Sequence, residues 1–133
     1  MTQHDMRRIA LQTLYLANQS QDPDVEEICI QAQKALDIKK YPEFSKSLVE
    51  GVLKHKADLD NQLSKFIKEG WRIDRLNQID RAILELSLYE IQNSSVIEPV
   101  SAVNEALNLC DEFSSPKSKA FVNGILGNFI KKN

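Results

Sequence analysis

Apolar residues recur every three or four positions along almost the whole chain, the spacing of helices that each bury one face. Over 4–20, Met6, Ile9, Ala10, Thr13, Leu14, Leu16 and Ala17 share a broad face, while His4, Arg8, Leu11, Gln12, Tyr15 and Gln19 fall opposite it. Asp22-Pro23-Asp24 supplies a turn and a cap, predicting a second helix over 24–37. After the break Lys39-Lys40-Tyr41-Pro42, the residues Phe44, Leu48 and Val52 predict a helix over 43–56. Leu59, Leu63, Phe66 and Ile67 predict another over 58–68, closed by Gly70-Trp71 with Gly70 suited to the position just past the end. The span 76–92 is the most apolar, since Ile79, Ile83, Leu84, Leu86, Leu88 and Ile91 cover more than half the wheel. It predicts a central helix packed on at least two neighbours.

Glu98-Pro99 opens the next helix with proline in the first turn, and Val100, Val103, Leu107 and Cys110 mark its stripe. Ser114-Ser115-Pro116 closes it and caps a last helix over 117–132, with Val122, Ile125, Leu126, Phe129 and Ile130 on its buried face. No stretch alternates with the period of a strand. The expectation is an all-α fold of about seven helices in two packed bundles. These form one domain over 1–133, with an N-terminal bundle at about 1–56 and a C-terminal bundle at about 58–133.

The last segment carries an anomaly. Gly124 and Gly127 interrupt it, although a glycine in a helix interior costs about 1 kcal/mol relative to alanine. Both fall away from the apolar stripe, so packing into the chain's own core does not account for them. A close fit to something on the outer side would. Phe121 and Asn123 flank the stripe, where a ring and an amide reach a partly exposed surface.

Composition narrows the function. The 133 residues are 42% hydrophobic and 27% charged, enough for a core and a soluble surface. No apolar run approaches the roughly 20 residues of a membrane span, and the N-terminal Met-Thr-Gln-His-Asp-Met-Arg-Arg has no apolar signal region. The two cysteines, Cys29 and Cys110, are far apart and outside any CxxC pattern, and Cys110 falls on a stripe as a buried thiol, which fits a reducing cytosol. A strong nonspecific nucleic-acid binder is usually basic, and the net charge here is −2. An RNA site here is a local patch or is completed by a partner.

The chain carries no phosphate loop, dinucleotide-binding glycine motif, HExxH or His/Cys cluster for zinc. His4 and His55 are isolated, and Glu26-Glu27 and Asp111-Glu112 point apart on a helix. The expectation is a protein that is not an enzyme and holds no metal or cofactor. Binding features remain. Tyr15 lies on the polar face of the first helix near Arg8, and Lys117 and Lys119 stand at the start of the last helix before Phe121. A helix N-terminus offers free amides and a positive dipole end to phosphate, and rings beside cations suit stacked bases. Packing of Tyr15 and Phe121 on a neighbouring helix is the plainer alternative. Asp80 falls inside the apolar arc of the central helix, where it caps the helix start, pairs with an internal cation or meets a basic partner.

The series Leu76-Asn-Gln-Ile-Asp-Arg-Ala-Ile-Leu-Glu-Leu-Ser-Leu-Tyr-Glu90, Val103-Asn-Glu-Ala-Leu107 and Phe121-Val-Asn-Gly-Ile-Leu126, with Ala10-Leu-Gln-Thr-Leu-Tyr15 upstream, resembles the NusB family of bacterial transcription antitermination factors. The resemblance spans nearly the whole chain and is strongest over 76–128. It implies a fold of two helical bundles. It also implies binding to the boxA element of ribosomal-RNA leader transcripts together with the ribosomal protein NusE, in a cytoplasmic antitermination complex with RNA polymerase and other Nus factors. The family's RNA surface carries over to Arg7, Arg8, Tyr15, Lys117, Lys119, Phe121 and Asn123, and its partner surface to Asp80. Monomer and homodimer are both compatible with it. The chain departs from the family in four places. It has only two arginines in the N-terminal segment, Ala120 and Glu85 stand at positions that are frequently basic, and Lys117 stands where an acid is common. Two other classes remain: an interaction module with weak or no RNA binding, and the helical module that precedes some RNA cytosine methylases. The absence of a cofactor-binding domain in these residues argues against the second.

Overall fold

A computed structural model describes residues 1–68 and 72–130, so the predicted helix end at Gly70-Trp71 lies outside the described residues. The regular structure among the described residues is helical. In chain order it runs α1 (Gln3–Ala17), α2 (Val25–Ala35), α3 (Glu43–Ser64), a 3-10 turn (Ile73–Arg75), α4 (Gln78–Asn93), α5 (Pro99–Phe113), α6 (Pro116–Leu126) and a second 3-10 turn (Gly127–Phe129). Six α-helices stand where seven were expected because the helices predicted over 43–56 and 58–68 are one. His55-Lys56-Ala57-Asp58 contains no glycine or proline, and alanine is the best helix former. The buried stripe Leu48, Val52, Leu59, Leu63 keeps helical phase straight through it.

The chain forms two compact units, Met1–Lys54 and His55–Asn133. In the first, α1 packs on α2. Thr2 and Asp5 start α1 with a reciprocal capping box: each side chain accepts the other's backbone N–H at 3.1 Å. Asp24 caps α2 by accepting the Glu27 N–H, as its sequence position predicts. Leu11, assigned to the polar face of α1, is fully buried, so more of this helix is covered than one apolar stripe requires. The Ser45 hydroxyl donates to the Met6 carbonyl at 2.7 Å, and the Thr13 and Tyr41 hydroxyls meet at 2.6 Å. Both bonds tie α1 to the segment that leads into α3.

In the second unit α4 is the central helix, packed on both α5 and α6, which also pack on each other. Its residues from Ala82 to Leu88 are all buried. The inner face of α5 is Ala102, Val103, Ala106, Leu109 and Cys110, and Val100 is 60% exposed. The predicted stripe is therefore rotated. Small alanines let helices approach closely, which a wheel weighted toward large residues overlooks. The last helix is also shorter than predicted. It ends at Leu126, and Gly127 is its C-cap rather than an interior position. Phe129, in the 3-10 turn that follows, meets Phe66 edge-on at 5.1 Å, and Phe66 stays 43% exposed instead of entering the core.

Candidate nucleic-acid interface

The start of α6 is built by three residues. Ser115 is extended, and its hydroxyl accepts the Ser118 N–H at 3.1 Å. Pro116 presets the first helical residue and has no N–H to donate. The row of free amides expected there shrinks to one: of the first three helical positions, only the Lys117 N–H meets no acceptor among the described residues. Lys117 is exposed and forms no ion pair among the described residues. Lys119, predicted as its companion, is instead paired with Asp111, both carboxylate oxygens lying 3.1 Å from its ammonium. The two side chains are 42% and 55% exposed, and such surface pairs contribute about 0–1 kcal/mol, so a phosphate can compete for the lysine. Phe121 is half-buried and Asn123 exposed, flanking the buried Val122, Ile125 and Leu126 as predicted. A Cβ added at Gly124 or Gly127 meets no atom within 4 Å, so neither glycine is required by packing inside the chain.

Asp80, the third residue of α4, is 7% exposed. One carboxylate oxygen accepts the Ser114 hydroxyl and the other the Ser118 hydroxyl, both at 2.6 Å. Neither an internal cation nor an open surface explains it, which corrects the expectation that it is presented to a partner. The helix start itself is capped by Asn77, whose side chain accepts the Ile79 N–H at 2.8 Å. Ser114 was read only as part of the serine run that ends one helix and caps the next, and Ser118, after Pro116, carried no signal in the sequence.

The N-terminal unit distributes its cations differently. Arg7 is 3% exposed, with its guanidinium 5.4 Å from the centre of the Phe44 ring and 3.4 Å from the Gln3 amide oxygen. This overturns its reading as a surface cation: cation–π attraction and a half-apolar side chain draw it inward. Arg8 remains 44% exposed, 3.9 Å from Asp5. Tyr15 is 37% exposed and lies seven residues on, two turns along the same face of α1.

A second charged cluster escaped the helical wheel. Glu85, 1% exposed, accepts from the Lys56 ammonium at 2.6 Å and lies 3.4 Å from Arg81, which binds Asp60 at 2.8 Å. Burial pushes the Glu85 carboxyl upward, with Asp60 adding to the rise, while the Lys56 ammonium opposes it and favours the charged form. The spacings 56/60 and 81/85 were the signal, since each puts charges on one helix face. This cluster joins α3 to α4 and turns its charges on each other. Cys110 is fully buried, and burial, with the charges of Asp80 and Asp111, raises its thiol to about 11. No group of three or more His, Cys, Asp and Glu that could hold a metal occurs among the described residues, and none of their helices is long and apolar enough to cross a membrane.

Known proteins are similar to this chain in sequence and in fold. The NusB family matches residues 4–131. The transcription antitermination protein NusB of Ligilactobacillus salivarius is 39% identical over 133 residues, covering 98% of each chain. Among solved structures, NusB of T. maritima is similar with a TM-score of 0.84 at 26% identity, covering 97% of this chain and 90% of that one. A chain in the crystal structure of the antitermination factors NusB and NusE in complex with dsRNA is similar with a TM-score of 0.81 at 25% identity, covering 97% of both.

Proposed function

The chain belongs to the NusB family, and on that premise we propose that it is an antitermination factor that captures the boxA element of ribosomal-RNA leader transcripts together with NusE. The observation that carries the RNA reading is the start of α6. There an unpaired, exposed Lys117 and one unoccupied helix amide stand within a turn or two of Phe121 and Asn123. Phosphate pairs with the lysine and the amide, and an unstacked base lies on the phenylalanine ring with asparagine as its hydrogen-bond partner. Lys119 joins once phosphate displaces Asp111. In the N-terminal unit, Arg8 and Tyr15 supply a cation and a ring on one face of α1. Arg7 acts through packing that holds α1 in place. The role is one of binding without catalysis, in the bacterial cytoplasm, within a complex on RNA polymerase.

The likeness to a chain from a NusB–NusE–dsRNA complex supports a joint protein and RNA partnership. A net charge of −2 fits it too, because much of the cationic surface then comes from the partner. The burial of Arg7 favours one second reading, a protein-interaction module with little RNA affinity of its own. The deciding experiment titrates boxA RNA, single-stranded and as duplex, and a scrambled sequence of equal length, with and without NusE. Solution mass is followed throughout to detect self-association. Preference for boxA in either arrangement supports the proposal, and equal binding of boxA and scrambled RNA in both defeats it.

A further inference from the structure

We propose that Asp80 is a positioning residue for RNA binding: it holds the start of α6, and with it Lys117, Phe121 and Asn123, in binding geometry without touching RNA or protein partner. The inference rests on the reading of α6 as the RNA-contacting segment. Only Ser114 and Ser115 separate α5 from α6. Ser114 caps the end of α5, its N–H donating to the Cys110 carbonyl at 2.8 Å, and Ser118 sits in the first turn of α6. The two oxygens of Asp80 accept hydroxyls from either side of this joint. One carboxylate on the central helix therefore fixes both the exit of α5 and the entry of α6.

The joint is further braced by a relay. The Ser115 hydroxyl reaches the Ser118 hydroxyl at 3.2 Å, and Ser118 in turn donates to Asp80. Such chains polarise and strengthen one another. Asp111 and Lys119 add an exposed tie between α5 and α6. Without its two donors a carboxylate this buried is costly, so the hydroxyls and the acid specify each other's places. Loosening the joint removes no RNA contact. It spreads the contact residues over orientations that binding must then restrict.

Asparagine at this position separates geometry from charge. Its carbonyl oxygen accepts one serine hydroxyl and its amide donates to the oxygen of the other, keeping two bonds without the negative charge. In the presence of NusE, Asp80→Asn is expected to bind boxA RNA within about twofold of the parent protein. Asp80→Ala and Ser118→Ala are each expected to weaken it by roughly tenfold, the scale of one charge-assisted hydrogen bond. Combining the two changes adds little, because both break one device. Amide hydrogen exchange at residues 119–121 rises in the alanine variants and not in Asp80→Asn. The proposal is overturned if Asp80→Ala binds as the parent does, or if asparagine loses as much as alanine, which would assign the effect to charge. Should the parent protein fail to prefer boxA over scrambled RNA, the functional reading falls by itself. The exchange data then decide the positioning role: unchanged exchange in Asp80→Ala overturns it. If Asp80→Ala does not fold, Ser118→Ala supplies the same comparison.

Discussion

The starts of α1 and α6 are both capped by a hydroxyl, and they end in opposite electrostatic conditions. At α1, Thr2 takes the Asp5 amide and Asp5 answers by taking the Thr2 amide, so the positive end of the helix is met by its own acid. The arginine that follows, Arg7, is folded onto Phe44. At α6, Ser115 takes the Ser118 amide, but the first turn carries no acid of its own, and its lysine at position 117 stays exposed. The nearby acid, Asp80, is spent on the Ser114 and Ser118 hydroxyls instead of the amides. A cap alone therefore does not mark a binding site. What distinguishes the two starts is whether the fold satisfies its own cations and amides or leaves them for an outside anion.

The contrast breaks most readily at Arg7. Arg7→Ala is expected to lower folding stability by about 2–3 kcal/mol through lost packing and hydrogen bonding, seen in urea denaturation, with the salt dependence of RNA binding unchanged. A shallower salt slope at parental stability would return Arg7 to the RNA surface. Phe121→Ala is expected to weaken boxA binding by about 1–3 kcal/mol, the scale of one stacked base. A lower melting temperature at unaltered affinity would place the ring in the core.

Paired cap substitutions sharpen the comparison. Thr2→Ala and Ser115→Ala should each cost about 1 kcal/mol of stability, and only the second should reduce RNA affinity in titration. Gly124→Ala should raise the melting temperature, by up to about 1 kcal/mol in stability, since the added methyl meets open space. A fall in RNA affinity in the same variant would show that a ligand lies close to that backbone. The smallest effect is one of pH. Hydrogen bonds from the Thr2 backbone and side chain hold the Asp5 carboxyl below its ordinary 3.8. A lowered pKa stabilises the fold above the unfolded value, and that contribution is lost as pH falls through the folded one. Below about pH 3.8 the protection of the first-turn amides of α1, measured against the intrinsic exchange rate at each pH, should fall. In Asp5→Asn this added fraying should be absent.

Legibility followed the kind of interaction involved. Asp24, Pro99, Ser115 and Pro116 announced helix starts correctly because caps and proline geometry act within a few residues. The break expected between 56 and 58 is absent because Leu59 and Leu63 continue the Leu48–Val52 stripe in phase. The rotated stripe of α5 came from weighting Val100 over the alanines. Around the candidate site, the half-buried and exposed positions of Phe121 and Asn123 were legible from their places beside the stripe. The fate of Arg7, Lys119 and Asp80 was not visible, because each is decided by a partner on another element: Phe44, Asp111, and Ser114 with Ser118.

Periodicity, caps and ordered motifs are properties of neighbours along the chain, and they were enough to show that it is helical, where most of its helices begin and which family it resembles. Which charges remain available is set by folding. A cation's availability depends on the acid or ring that folding brings within a few ångströms, and no local pattern encodes that meeting. Lys117 is left facing solvent while Arg7 is withdrawn from it, and Asp80, once a candidate for contact, is buried against the Ser114 and Ser118 hydroxyls at the start of α6.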